Sequence, residues 1–480
     1  MKRLLVVVSL LAVGVFLVFS LVAAQTVAPT GSAADPSADG AVSPSAMGPR
    51  TSHTLVQNME AMTANVHIQY YRDNGQVAKE FDGVIAPNGS KQYHASDYPE
   101  LGASFLGSMV VSSDRQIVAV VVNAGSTSHD IYEGASQGAT DEFLPSVHWR
   151  AGQHTLTGFQ NTDPSVTATV AISYLSQLGA VLTSMTVLIA PNSAVHQDAL
   201  SYVSDPSGVG SIRATSLNGQ KIALAAIETL GDETYSYRGF MPDQGSPLIY
   251  LPSVHRNMGG QFSHILVQNM TGLSNNVRIT YYLQNGTMAN TFTQVVPANG
   301  AFTFHTGPMS PANPFDPLAL GNVGSAKLES LDARNMVAVV VETVGATAYS
   351  YDGQIPADAA SSLLFPSAHR NMGGQFSHTL VQNLSGSTAA NLTVTYYNPD
   401  GGVAAPSPFN YSLPPSGAYT FHTGPNPSPN AYDPTGLGNV GSLRVLCTNC
   451  GGSGPTIVAV MVETLTSAQI PGAYAGFKEN

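Results

Sequence analysis

Apolar positions recur along this chain in two rhythms. The first is strict alternation. In "NNVRITYY", Val277, Ile279 and Tyr281 alternate with Arg278, Thr280 and Tyr282. A period of two marks a strand with one face on a core. "ANVHIQYY", "ATVAISYL" and "ANLTVTYY" occupy the corresponding places elsewhere. The second rhythm is an unbroken apolar run: "IVAVVVN", "IALAAIET", "MVAVVVET" and "IVAVMVET". A strand apolar on both faces is covered on both, centrally or by a neighbouring unit. Between the two stand turn signals, "APNGS", "APNSA", "PANGA" and "PPSGA". No long amphipathic helical pattern follows the N-terminus, so parallel α/β folds are excluded for want of crossover helices.

These elements keep one order four times, the mark of internal repeats. A Gln-Asn pair (Gln57-Asn58, Gln160-Asn161, Gln268-Asn269, Gln382-Asn383) precedes the alternating strand. After it come the turn, a His-bearing segment, a Gly-Ser strand and the doubly apolar strand. "LPSVHRNMGGQFSHILVQN" and "FPSAHRNMGGQFSHTLVQN" agree at 16 of 19 positions and read as the join that opens a unit. The expected fold is all-β: four tandem immunoglobulin-like antiparallel β-sandwich repeats after an N-terminal hydrophobic signal or anchor helix. The expected divisions are 1–24 for the signal peptide or anchor and 25–41 for a flexible linker. Repeats one to four then span 42–142, 143–249, 250–363 and 364–480, the first opening on a shortened strand at 42–50. No long linker separates the units, which predicts a semi-rigid rod.

The N-terminal stretch "MKRLLVVVSLLAVGVFLVFSLVAAQ" has a basic start and an apolar run from Leu4 to Ala24. It fits a cleaved secretory signal or an uncleaved anchor, and both place the remainder outside. Composition adds two exclusions. Lys and Arg together number 18 against 30 acids, a net charge of −12. No basic stripe exists to bind nucleic acid through phosphate. Cys447 and Cys450 are the only cysteines, and in a secreted chain they read as a local disulfide rather than half a zinc site.

Three histidine positions recur: His148, His255 and His369 on the first strand; His53, His264 and His378 on the second; His94, His196, His305 and His422 later. Converging imidazoles would bind zinc or copper, which makes His255, His264, His305, His369, His378 and His422 the candidate ligands. The sets are incomplete in two units, and the second carries Leu156 at the second-strand place. Hydrogen bonding near strand ends is therefore the preferred role, with no metal and no cofactor expected. Asp97, Asp205, Asp316 and Asp433 recur before the Gly-Ser strand and read as turn caps rather than calcium ligands. Glu228, Glu342 and Glu463 end the apolar strand, with Asn123 in the first unit. One acid per unit falls short of the two a glycosidase uses.

The succession "YLPSVHRN", "GGQFSHILVQN", "VRITYY", "PANG", Gly-Ser, "VAVVVET" and the Tyr-Gly ending "YSYDG" resembles tandem β-sandwich repeats of uncharacterised secreted or cell-surface bacterial proteins. The resemblance spans residues 42–480 and implies a surface role. The expectation is a non-enzymatic structural or adhesive protein, secreted or on the extracellular cell surface. It would self-associate into a layer or filament or bind other surface components, the second face of the doubly apolar strand meeting another copy. The membrane would be touched only through an uncleaved N-terminus. A carbohydrate-binding module array, using exposed Tyr and Gln/Asn on glycans, and an enzyme on a sandwich scaffold are the alternatives.

Overall fold

The computed structural model describes residues 14–21, 50–102, 105–125, 129–230, 233–308, 312–344, 347–425, 430–451, 454–465 and 472–479. The first unit holds β1 (Gly14–Leu21), β2 (Arg50–Asn58), β3 (Ala64–Arg72), β4 (Val77–Ile85), β5 (Ser90–His94), β6 (Leu106–Ser113), β7 (Ile117–Gly125) and β8 (His129–Glu133). The second holds β9 (Asp141–Arg150), β10 (Gln153–Asn161), β11 (Ala168–Ser176), β12 (Val181–Ile189), β13 (Ala194–Asp198), β14 (Val209–Ser216), β15 (Ile222–Leu230) and β16 (Glu233–Arg238). The third holds β17 (Leu248–Met258), β18 (Gln261–Asn269), β19 (Asn275–Leu283), β20 (Met288–Val296), β21 (Ala301–His305), β22 (Val323–Ser330), β23 (Met336–Val344) and β24 (Thr347–Asp352). The fourth holds β25 (Ser362–Met372), β26 (Gln375–Asn383), β27 (Ala390–Tyr397), β28 (Phe409–Leu413), β29 (Ala418–His422), β30 (Val440–Cys447), β31 (Ile457–Leu465) and β32 (Gly472–Ala475), with β33 (Phe477–Lys478) last.

Each unit is built of two antiparallel four-stranded halves, separate sheets in the first unit and joined in the others where β9 pairs β10, β17 pairs β18 and β25 pairs β26. In the third unit one half runs β20-β19-β22-β17 and the other β21-β18-β23-β24, and the other units repeat this order. The first unit differs at one place. β9, β17 and β25 come from the segment just before the second strand, whereas the equivalent slot is filled by β1, paired with β6 from Gly14↔Ser113 to Leu21↔Leu106. This corrects the expected helix over this part of the apolar run. Val- and Phe-rich sequence suits a pleated strand, and the slot offers unmade ladder bonds. The remainder of the expected signal, the linker and residues 42–49 of the expected first strand lie outside the described residues. Arg50 belongs to β2 instead. Among the described residues no helix is long and apolar enough to cross a membrane.

The units close a ring, not a rod. β8 packs on β16, β16 on β24, β24 on β32, and β32 back on β8, so the last strands surround a pseudo-four-fold axis. The doubly apolar strands explain why. Ala338 and Val340 face the third unit's own core, while Val337, Val339 and Val341 enter the second unit's core. Val460 and Val462 likewise enter the third unit's core, and Val120 and Val122 the fourth's. Ala223 and Ala225 close the cycle in the first unit's core. Burying a valine contributes about 1.5–3 kcal/mol, so a rod that left these faces in water would forfeit several such contributions at every joint. The Pro/Asn/Gly turns seat the joints. Ala301 N donates to Gln177 O (3.0 Å) and Ala418 N to Gln284 O (3.1 Å). Ser108 Oγ donates to Asn192 O (2.7 Å) and Ser442 Oγ to Asn88 O (3.3 Å).

Candidate functional site

The histidines divide into two structural groups. The first-strand His lies beside the Glu that ends the doubly apolar strand: His148 to Glu228 at 3.1 Å, His255 to Glu342 at 3.2 Å and His369 to Glu463 at 2.8 Å. These Glu side chains are fully buried. Ser263 Oγ donates to Glu342 (2.7 Å) and Ser377 Oγ to Glu463 (2.7 Å). Burial lowers the affinity of His369 for its proton, but the Glu463 carboxylate outweighs it and the pKa ends raised. Ser, His and Glu meet here, and the Ser263 and Ser377 hydroxyls bond the carboxylate; Ser367 Oγ lies 3.2 Å from Glu463 Oε1 and 3.5 Å from His369 Nδ1. These contacts tie the first strand to the end of the doubly apolar strand. In the first unit Asn123 replaces the Glu. It accepts from Ser52 Oγ (2.6 Å) and donates to Asp130 (2.8 Å), which Arg50 holds at 2.9 Å.

The second group is a cross-strand imidazole pair. The ladder sets His264 opposite His305, His378 opposite His422 and His53 opposite His94. His264 Nδ1 and His305 Nδ1 are 2.6 Å apart, and His264 Nε2 reaches Thr343 Oγ1 at 3.0 Å. The His378–His422 contact is of the same kind, with His378 Nε2 at 2.6 Å from Thr464 Oγ1. A single shared proton satisfies each Nδ1–Nδ1 contact, which requires the accepting ring to be neutral. Burial and then the neighbouring imidazoles hold His264 down at about 4 and His378 at about 3. The second unit breaks the pattern. Leu156 stands opposite Asp198, and His154 Nδ1 meets Asp198 Oδ1 at 2.8 Å. His196 is therefore not the counterpart of His305: it lies opposite Gly158, two positions away. Spacing alone could not reveal that shift.

The ring brings the two groups together across joints. His148 faces His264 and His305 across the cleft between the second and third units. His255 faces His378 and His422 between the third and fourth. Among the described residues no three His, Cys, Asp or Glu side chains converge as a metal site. The six candidate ligands are instead shared among Glu, Thr and imidazole partners.

A third polar cluster lies at the ring axis, where sequence reading found nothing. Arg238 Nε is 3.1 Å from Glu133 Oε2 and 2.9 Å from Asp352 Oδ2. Glu133 also accepts from Ala475 N at 2.6 Å. Glu142 and Asp358 line the same pocket. One guanidinium thus serves several buried carboxylates. Burial, only partly countered by Arg238, pushes Asp352 up to about 8 and Glu142 well above its usual range. Each acid is unremarkable in sequence, and only ring closure places acids of the first, second and third units around Arg238.

The remaining repeated residues hold loops. Asn269 Nδ2 donates to Leu273 O (2.7 Å) and Pro297 O (2.8 Å), and Asn383 Nδ2 to Thr388 O (2.8 Å) and Pro414 O (2.9 Å). Asp205 caps its turn through Ser207 N (3.0 Å). Asp316 and Asp433 instead accept paired bonds from Arg256 and Arg370. Cys447 and Cys450 are joined as a disulfide. Tyr474 Oη donates to Ser367 O (2.6 Å), and Tyr237 and Tyr351 make the same bond to Ser146 and Ser253. The Tyr-Gly ending signalled these tyrosines without identifying their partner.

No protein family and no curated protein matches the chain. Among solved structures, a biofilm associated protein BSP domain aligns over 89% of this chain and 90% of its own, at 8% identity and a TM-score of 0.14. A glycoside hydrolase family 32 protein from Bifidobacterium adolescentis aligns over 85% and 97%, at 7% identity and a TM-score of 0.13. A glycosyl hydrolase family 2 member from Bacteroides cellulosilyticus DSM 14838 aligns over 88% and 89%, at 5% identity and a TM-score of 0.13. Similarity this low carries no argument about fold or activity.

Proposed function

We propose that this chain is a non-enzymatic extracellular structural or adhesive protein of a bacterial cell surface, and that its rings associate with further copies through their outer edge strands. The observation that supports this reading is a repeated exposed edge. β4, β12 and β20 each end a sheet. They point equivalent apolar residues into solvent: Val77 and Val84, Val181 and Leu188, Met288 and Val295. Val84, Leu188 and Val295 are 54%, 68% and 51% exposed. Proteins that stay monomeric blunt such edges with charge or proline, because unpaired ladder groups beside apolar side chains template pairing with another chain; β12 and β20 carry neither, while β4 carries Lys79, Glu80 and Asp82. The doubly apolar strands give no such support, since their second faces are covered within the ring.

Light scattering across a concentration series, with electron microscopy of labelled cell envelopes, tests the reading. Concentration-dependent assembly that Val84→Lys, Leu188→Lys and Val295→Lys together abolish is the expected result. A strictly monomeric ring, dispersed on the cell surface, overturns it.

A further inference from the structure

The cleft between the third and fourth units is lined by His255, Gln261, Tyr349, Tyr419, Thr420 and Tyr432. Its volume is about 460 Å³, within the range of about 300–1,000 Å³ common to small-molecule sites. Among the described residues no Asp, Glu, Lys or Arg lines it. One wall carries His255, Gln261 and Tyr349, with Gln261 Nε2 donating to Tyr349 Oη at 2.9 Å. The other wall is built on β29 and the loop after it. There Tyr419 and Tyr432 stand with ring centroids 5.7 Å apart and planes at 77°, forming an aromatic corner. Asn430 fixes that corner by donating to His422 O (2.8 Å) and Gly424 O (2.6 Å).

Several polar groups of this cleft have no partner among the described residues: the hydroxyls of Tyr419, Thr420 and Tyr432, and the exposed amide of Gln284. Ligand chemistry follows by elimination. An ionic ligand would lose its hydration without meeting a counter-charge. A wholly hydrocarbon ligand would strand these hydroxyls and the amide. A neutral ring with an apolar face and a hydroxylated rim satisfies both walls. We propose that this cleft binds an uncharged saccharide, with a sugar ring against the Tyr419–Tyr432 corner and its hydroxyls met by Gln284 and Thr420. The equivalent cleft between the second and third units provides an internal contrast. It carries Phe302 at the place of Tyr419 and is lined by Arg150, so it lacks both the hydroxyl and the neutrality. This inference stands on a different observation from the edge-strand reading, and either can fail alone.

Titration calorimetry on the full chain tests it, with cellobiose, maltose and N,N′-diacetylchitobiose as probes at millimolar concentration. The expected result is saturable binding of at least one probe at one site per chain. Gln284→Ala and Thr420→Val should each weaken it by about ten-fold, with the thermal unfolding midpoint unchanged. Absence of saturable heat from all three probes overturns the proposal. So does binding that neither substitution alters.

Discussion

Gly286 of the third unit meets Pro415 of the fourth so closely that a Cβ on Gly286 would lie 1.9 Å from the Pro415 carbonyl oxygen. Gly179 stands in the same relation to Ala298, also at 1.9 Å. Both glycines have positive φ, as does Gly219, whose Cβ would meet open space. Gly219→Ala should therefore cost only the backbone term, about 1–2 kcal/mol. Gly286→Ala and Gly179→Ala add a backbone collision at a joint and should cost about 3 kcal/mol or more. Denaturant unfolding of the three variants checks the ordering. Equal losses would show that the joints do not depend on this contact.

Ring closure has a direct signature in solution. A compact body of 480 residues has a radius of gyration of about 23 Å. Small-angle scattering should give a value near this and a compact pair-distance distribution. An elongated profile would restore the rod.

Acid should loosen the joints. Burial holds His264, His305, His378, His422 and His196 below the usual imidazole range, with His264 and His196 at about 4. In the unfolded chain these rings titrate near 6.5. Between those values the unfolded state binds protons that the native state refuses, so stability is full above pH 6.5 and falls as pH drops towards 4. His154 and His369 are raised, through Asp198 and Glu463, and oppose the trend with fewer groups. The expected loss is a few kcal/mol, read from unfolding midpoints between pH 7 and 4. His378→Leu, which places there the side chain found at Leu156, should flatten part of the slope. A midpoint that does not move over this range contradicts the assignment.

The axial cluster titrates with the opposite sign. Asp352, raised to about 8 chiefly by burial, keeps in the native state a proton that the unfolded chain releases near 3.9. Its contribution to stability is therefore lost progressively as pH rises from about 4 to 8. Asp352→Asn should leave the fold intact and flatten the alkaline side of the stability profile. Arg238→Ala removes the donor that Glu133 and Asp352 share and should destabilise by about 1–3 kcal/mol. Unfolding midpoints of both variants from pH 5 to 9 test this, and a harmless Arg238→Ala would refute it.

Much of the candidate chemistry was legible as recurrence but not as contact. The turn at Asn299 and Gly300 was readable from its letters, and Asn299 takes the positive φ that asparagine tolerates. That Ala301 N reaches Gln177 of the preceding unit was not. The histidines were visible at once, and their partners were not. Glu342 lies 87 residues beyond His255, and only the closing of β17 and β23 around one core sets them 3.2 Å apart. Leu156 was correctly read as standing in for an imidazole, while His196 was placed two residues out of register. A ladder is defined by backbone pairing, which sequence spacing does not fix.

The sequence by itself determined the local order: alternating strands, unbroken apolar strands, turns and their fourfold repetition. Period, propensity and turn chemistry act over a few residues, so they can be read from a few residues. Tertiary structure alone decided what covers the second face of "MVAVVVET". Val337, Val339 and Val341 could have met another molecule, and instead they complete the core of the preceding unit. Apolar burial is non-directional and does not name its partner. The geometry of the joints selected a neighbouring unit of the same chain, turning an expected rod into a ring with clefts between its units.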